Sequence, residues 1–116
     1  MLTEARTINV LGTDIKIVFR KEVDDPQLDD LGGYFDSSEN LIVVKIPEKE
    51  KNSLGNLENW QKKTLRHEIV HAFLYESGLD WSASSVDCWA TNEEMVDWFA
   101  IQAPKIGKIF REQKLV

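Results

Sequence analysis

The two histidines of this 116-residue chain lie four positions apart, in the pentad His67-Glu68-Ile69-Val70-His71. On an α-helix, residues at this spacing share a face with Cβ atoms about 6 Å apart, so both imidazoles could bind one Zn²⁺. Glu68 lies about 100° further round such a helix, where its carboxylate can reach a water molecule without binding the metal. The spacing therefore predicts a zinc site with Glu68 as general base, as in zinc-dependent hydrolases.

Two other interpretations start from the same pentad. The pattern can arise by chance, and two neutral histidines can be core residues satisfied by hydrogen bonds. The surrounding residues favour a buried helix over a solvated one. They are apolar or small: Ile69, Val70, Ala72, Phe73 and Leu74. A buried helix that carries this pentad favours the metal site.

A catalytic zinc needs a third protein ligand, and the chain has no third histidine. The remaining candidates are carboxylates and the single cysteine, Cys88. Because Cys88 is flanked by Val86, Trp89 and Ala90, a plain buried thiol is the favoured interpretation.

The carboxylates lie in residues 93–100, which are predicted to be helical. Glu93 and Asp97 are four apart and share a face, so Glu93 could bind the metal while Asp97 accepts the outer N–H of a ligand histidine. Glu94 is the competing ligand, although it also suits a capping box with Thr91. Both glutamates would complement the dipole of a helix N-terminus. We expect Glu93 as the third ligand and Glu94 as the runner-up.

These residues resemble those of the gluzincin metallopeptidases, whose third zinc ligand is a glutamate on a later helix. The pentad, followed by Glu93, Asp97, Phe99 and Ala100, looks most like the small intracellular ImmA/IrrE-type proteins common in phages and mobile elements. The resemblance covers roughly residues 34–103. The chain differs from that family in its short length and in having no obvious N-terminal helix.

The resemblance implies Zn²⁺ as the cofactor, Glu68 as the general base and Asp97 as the partner of a ligand histidine. The implied zinc ligands are His67, His71 and Glu93. At position 96 the family has alanine and this chain has Val96. The implied activity is hydrolysis of a peptide or protein substrate, with a regulator protein as the kind of substrate that suits the family.

The resemblance also places the substrate along an edge strand at residues 41–46, paired backbone to backbone. Tyr75 and Tyr34 are candidates to stabilise the oxyanion, although a packing role is the favoured interpretation for each. The four tryptophans are expected in the core or at the rim: Trp60, Trp81, Trp89 and Trp98. The rival functions are a non-catalytic zinc-binding interaction module and a metal-free interaction domain.

Composition predicts one cytoplasmic domain. The net charge is −6, with 14 basic against 20 acidic residues, so no binding to nucleic acid or to an anionic membrane is expected. A single cysteine forms no intrachain disulfide, which suits the reducing cytosol. The first residues lack the layout of a signal peptide, and no apolar stretch approaches the length of a membrane span.

The predicted strands lie in the first half of the chain, at residues 7–11, 15–20, 34–35 and 41–46. Residues 12–14 are predicted to form a tight turn, residues 24–33 a loop with one helical turn, and Pro47 ends the last strand. Because the strands precede the helices, the fold class is α+β. The resemblance implies a minimal zincin-like domain with a small antiparallel or mixed sheet.

The predicted helices fill the second half. The long helix covers residues 57–77, capped by Asn56 or Ser53 and closed by Gly78. The segment 79–90 is predicted to be irregular. One or two further helices follow, from Thr91 to residue 103 and from residue 105 to 114, because Pro104 should end the first of them.

Overall fold

The computed structural model describes residues 1–49, 55–82 and 89–116, with the backbone alone for Trp81 and Ser82. The main elements are β1 (Arg6–Val10), β2 (Thr13–Arg20), β3 (Gly33–Asp36), β4 (Leu41–Lys45), α1 (Leu57–Glu76), α2 (Leu79–Ser82) and α3 (Glu93–Glu112). Short 3₁₀ turns lie at Glu22–Asp24, Pro26–Leu28 and Trp89–Thr91. The α+β class is therefore confirmed. The alternative cap Ser53 and the thiol of Cys88 lie outside the described residues.

The hairpin between β1 and β2 is tighter than predicted. Val10 pairs with Thr13, so the turn consists of Leu11 and Gly12 and not of residues 12–14. Both turn residues have positive φ, +51° and +97°, as a two-residue hairpin with the right-handed strand twist requires. Glycine adopts such angles readily.

The sheet is mixed, with strand order β1-β2-β4-β3. β2 and β4 are parallel, whereas the other two neighbouring pairs are antiparallel. β4 therefore lies inside the sheet, and the predicted role of residues 41–46 as a substrate-side edge strand is wrong. The three central residues of β4 are buried on both faces: Ile42, Val43 and Val44. The edge on this side is β3.

Helix α1 packs on one face of the sheet through an apolar cluster. Alternate residues of β2 point into it, as expected for a strand with one buried face. The buried members are Val10, Ile15, Ile17, Phe19, Ile42, Val44, Leu65 and Ala72. The helix begins as predicted, because the side chain of Asn56 accepts a 2.9 Å hydrogen bond from the Asn59 N–H. It ends at Glu76 with Ser77 as the C-cap, and Gly78 follows with a φ of +82°.

Helix α3 begins one residue later than the predicted capping box implies. Its N-cap is Asn92, whose side chain accepts a 2.8 Å hydrogen bond from the Met95 N–H. Thr91 belongs to the preceding 3₁₀ turn, so the predicted cap at Thr91 is wrong. Asparagine caps helices at least as well as threonine, and it competes successfully here.

Helix α3 also continues through Pro104, and the predicted break into two helices is wrong. Proline has no N–H, so the carbonyl of Ala100, four residues earlier, loses its usual intrahelical donor. The Nε of Arg66 on α1 donates to this carbonyl at 2.5 Å. The carbonyl of Ala100, which has no donor within α3, is thus bonded by a side chain of the neighbouring helix. No helix in the described parts of the chain is long and apolar enough to cross a membrane.

Candidate metal centre

The pentad places both imidazoles on the face of α1 that meets the start of α3. The Nε2 atoms of His67 and His71 lie 3.2 Å apart. The carboxylate of Glu93 bridges them, with Oε2 at 2.9 Å from the first and Oε1 at 3.0 Å from the second. Three donor groups from two helices therefore converge on one point.

These separations fit a metal ion. Nitrogen and oxygen ligands at 2.0–2.1 Å from a tetrahedral zinc would lie about 3.3 Å from one another. The separations between 2.9 and 3.2 Å are only slightly tighter. One face of such a coordination shell could therefore be formed by His67, His71 and Glu93.

Asp97 defines which nitrogen of His67 faces the metal position. Its Oδ1 lies 3.3 Å from Nδ1 of His67. The tautomer with its proton on Nδ1 donates it to Asp97 and leaves a lone pair on Nε2, facing the Glu93 carboxylate and the other imidazole. Acceptors this close repel one another unless a proton or a cation lies between them.

Lys63 supports Asp97 from one turn earlier on α1. Its Nζ donates to the same Oδ1 at 3.0 Å. The hydrogen bond from Lys63 holds the pKa of Asp97 below its usual value, and the contact with His67 adds to this effect. Asp97 is therefore an anion that can orient the imidazole of His67.

Glu68 carries a buried carboxylate that is not fully hydrogen-bonded within the described parts of the chain. The residue is 5% exposed, and its Oε2 has no hydrogen-bond partner among the described residues. Burial raises the pKa of Glu68 to about 7, with a smaller contribution from the charge of Glu93 and opposition from His67. Its carboxylate lies within 4.8 Å of the histidine nitrogens, so His67, Glu68 and His71 form a group that could hold a metal ion.

The second histidine is biased toward its neutral form. Burial lowers the pKa of His71, although the adjacent carboxylate of Glu93 opposes the shift. A neutral imidazole is the form that binds metals. Near neutral pH, His71 is therefore ready to act as a ligand.

A groove of about 620 Å³ runs between β3 and α1 and contains the metal centre. Lys63, both histidines, Glu68, Glu93 and Asp97 all line it. β3 and the residues before it form the opposite wall: Leu31, Gly32, Gly33, Tyr34 and Phe35. The groove thus places the edge strand of the sheet beside the metal-binding groups.

The two predicted oxyanion donors have different environments. The hydroxyl of Tyr34 donates to Asp25 at 2.6 Å, so its proton is already committed. Tyr75 also lines the groove, and its ring packs edge-on against Phe35 at 5.8 Å between centroids. Of the two tyrosines, Tyr34 has its hydroxyl bonded to a carboxylate, and no such bond is found for Tyr75 among the described residues.

The remaining predicted residues differ in their position relative to the groove. Glu94 is exposed and does not line the groove, which favours Glu93 as the third ligand. Trp60 lines the groove, whereas Trp89 and Trp98 are about half exposed. The side chain of Trp81 lies outside the described residues.

Sequence reasoning missed two residues that support the site. Lys63 lies four residues before His67, and this helical spacing could have identified it as a neighbour. Arg66 has no such local signal. The only hint in the sequence is Pro104, which leaves the carbonyl of Ala100 in need of a donor from elsewhere. In comparisons with known proteins, no family model, no curated protein sequence and no solved structure matched this chain.

Proposed function

We propose that this chain is a zinc-dependent metallopeptidase of the gluzincin kind, built on a small zincin-like fold. The observation that carries the proposal is the convergence of two imidazoles and the Glu93 carboxylate within 3.2 Å, beside a buried glutamate. We assign His67, His71 and Glu93 as the zinc ligands.

The donor set favours zinc among the common metals. Two imidazoles and one carboxylate are the ligands of many catalytic zinc sites, and a fourth position is left for water or substrate. When bound there, zinc would lower the pKa of a water molecule and polarise a substrate carbonyl. Asp97 would hold His67 in the ligating tautomer, with Lys63 fixing the carboxylate of Asp97.

Glu68 is the proposed general base. It accepts a proton from the attacking water and passes it to the leaving amine of the cleaved peptide. Its unpartnered Oε2 and its pKa of about 7 support this role, because a base with a pKa near the working pH both accepts and returns a proton readily.

The proposed substrate is an extended peptide segment of a protein, such as a regulator. β3 replaces residues 41–46 as its docking strand, because β3 is the sheet edge that lines the groove. Backbone pairing with Gly33–Asp36 would place the peptide across the two histidines. Tyr75, on the far side of His71, is the proposed oxyanion donor.

The ligand assignment is tested by zinc content in a matched pair of variants. Glu93 and Glu94 are adjacent exposed glutamates at the start of α3, so both substitutions change the helix dipole equally. Purified without an affinity tag, Glu94→Gln should keep about one zinc per chain. Glu93→Gln should lose most of it. Equal zinc in both variants, or none in the wild type, would contradict the assignment.

The enzyme assignment is tested by comparing protein termini in cells that express wild type or Glu68→Gln. New termini made by the wild type should fall by at least about 100-fold in the variant. The exposed Glu58→Gln on the same helix is the control and should behave as wild type. Zinc without Glu68-dependent termini would instead indicate a non-catalytic zinc-binding interaction module.

A further inference from the structure

We propose that Arg66 is a positioning residue that holds Glu93 and Asp97 at the metal centre by bonding the carbonyl that Pro104 leaves unpaired. The inference rests on the proposed function, because it concerns the same metal. Among the described residues, Arg66 makes no hydrogen bond to the histidine rings or to the carboxylates of Glu93 and Asp97. Its effect is exerted through the backbone of α3.

The bond exists because of the proline. In an uninterrupted helix the N–H of residue 104 would donate to the carbonyl of Ala100. Pro104 supplies no N–H, and α3 nevertheless continues for eight more residues to Glu112. The Arg66 Nε donates to that carbonyl at 2.5 Å, and a charged donor makes a stronger bond than a neutral one.

The same bond joins the two helices that carry the metal ligands. Arg66 directly precedes His67 on α1. Ala100 follows Asp97 by three residues and Glu93 by seven, so all three lie on one face of α3. Ala100 and Val96 are fully buried, which places the backbone of α3 close to α1 here.

Glu93 needs such positioning because its side chain is otherwise weakly held. The side chain is 71% exposed and projects from the first turn of α3, where helices fray most easily. Besides the two histidines, no side chain among the described residues bonds its carboxylate. The position of the α3 backbone therefore determines whether Glu93 reaches both imidazoles.

The test measures the zinc Kd of folded protein by competition with a chromophoric chelator. Arg66→Leu should weaken zinc binding by about tenfold, the range seen when a group behind a metal ligand is removed. Arg66→Lys, whose ammonium can donate to the same carbonyl, should retain most of the affinity. Lys62→Leu, an exposed neighbour on α1, is the control and should bind as the wild type does.

Two double variants separate positioning from general destabilisation. Pro104→Ala restores the backbone N–H, so Arg66→Leu in that background should leave zinc affinity nearly unchanged. This pair also keeps the test valid if Arg66→Leu alone does not fold. In a Glu93→Gln background, Arg66→Leu should have a smaller effect than in the wild type, because only Asp97 is left to position.

The outcomes distinguish this inference from the function on which it rests. If the wild type binds no zinc, or Glu93→Gln binds it as tightly as the wild type, the proposed metal centre fails and the inference with it. If that centre holds but folded Arg66→Leu binds zinc as the wild type does, only the positioning role is overturned. An equal tenfold loss in the Pro104→Ala background would also overturn it.

Discussion

Two partly buried polar clusters of this molecule, one around Asp25 and one around the two histidines, differ in how many of their polar atoms are hydrogen-bonded. In the first, the Asp25 carboxylate accepts three hydrogen bonds, from the Arg20 guanidinium at 3.1 Å, the Tyr34 hydroxyl at 2.6 Å and the Gln27 N–H at 3.1 Å. The hydrogen bond from Tyr34 is the main reason that the pKa of Asp25 lies below its usual value. Both oxygens of the Asp25 carboxylate thus have partners within the fold.

The metal centre is arranged in the opposite way. The Glu93 carboxylate faces two imidazole nitrogens, and the nearby Glu68 has an unpartnered buried oxygen among the described residues. Groups left in this state cost stability unless a ligand compensates them. The Asp25 cluster is thus closed by contacts within the fold, whereas the group at the two histidines is left open and could hold a metal ion.

The largest expected effect is the response of stability to zinc. With free zinc about a thousandfold above its Kd, the free energy of unfolding should rise by about 4 kcal/mol. Urea unfolding with and without zinc measures this. His71→Ala should lose the increment, whereas Asp25→Asn should keep it despite its lower starting stability, because the two clusters share no partner. If zinc raised the free energy of unfolding of His71→Ala as much as that of the wild type, the two clusters would not differ in zinc binding.

The next effect compares the two buried carboxylates in metal-free protein at neutral pH. Asp25→Asn should lower the free energy of unfolding by about 2 kcal/mol, because hydrogen bonds to a charged acceptor are lost. Glu68→Gln should leave it unchanged or raise it, because an unpaired buried carboxylate is replaced by a neutral amide. Urea denaturation measures both, with the exposed Asp24→Asn as control. A larger loss for Glu68→Gln than for Asp25→Asn would contradict the comparison.

The helical part of the metal centre could be predicted from the sequence because its information is local. His67 and His71 lie four apart on one helix, and the order of apolar residues places that helix against a core. Glu93 and Asp97 repeat the same spacing on the next helix. Glu93, the predicted ligand, lines the groove and its neighbour Glu94 does not, because adjacent residues of a helix lie about 100° apart.

Two of the predictions that were wrong concern relations between distant segments. The position of β4 inside the sheet depends on its parallel pairing with β2, and nothing in the order of apolar residues indicates which strands become neighbours. In α3, the carbonyl that Pro104 leaves without its helical donor is bonded by Arg66, which lies 38 residues before the proline. That proline tends to end a helix is a local rule. The donor that bonds this carbonyl comes from another helix, so a local rule does not indicate it.

The smallest effect concerns pH and the Asp25 cluster alone. Burial, together with the hydrogen bond to Asp25, raises the pKa of Tyr34 to about 12, whereas an unfolded tyrosine titrates near pH 10. The folded state therefore holds this proton more tightly, and its stabilising contribution is complete below about pH 10 and lost as the pH rises toward 12. The lowered pKa of Asp25 acts in the opposite range, since its contribution is present above about pH 4 and lost as the pH falls below that value.

The Tyr34→Phe variant separates this titration from general alkaline denaturation. Tyr34→Phe should lower the free energy of unfolding by about 1 kcal/mol at pH 8, and the difference from wild type should shrink steadily above about pH 10. Urea denaturation of wild type and variant across this range measures the difference. A constant difference for Tyr34→Phe would mean that its hydroxyl titrates as in the unfolded chain, and that the Asp25 cluster is not the closed network its contacts describe.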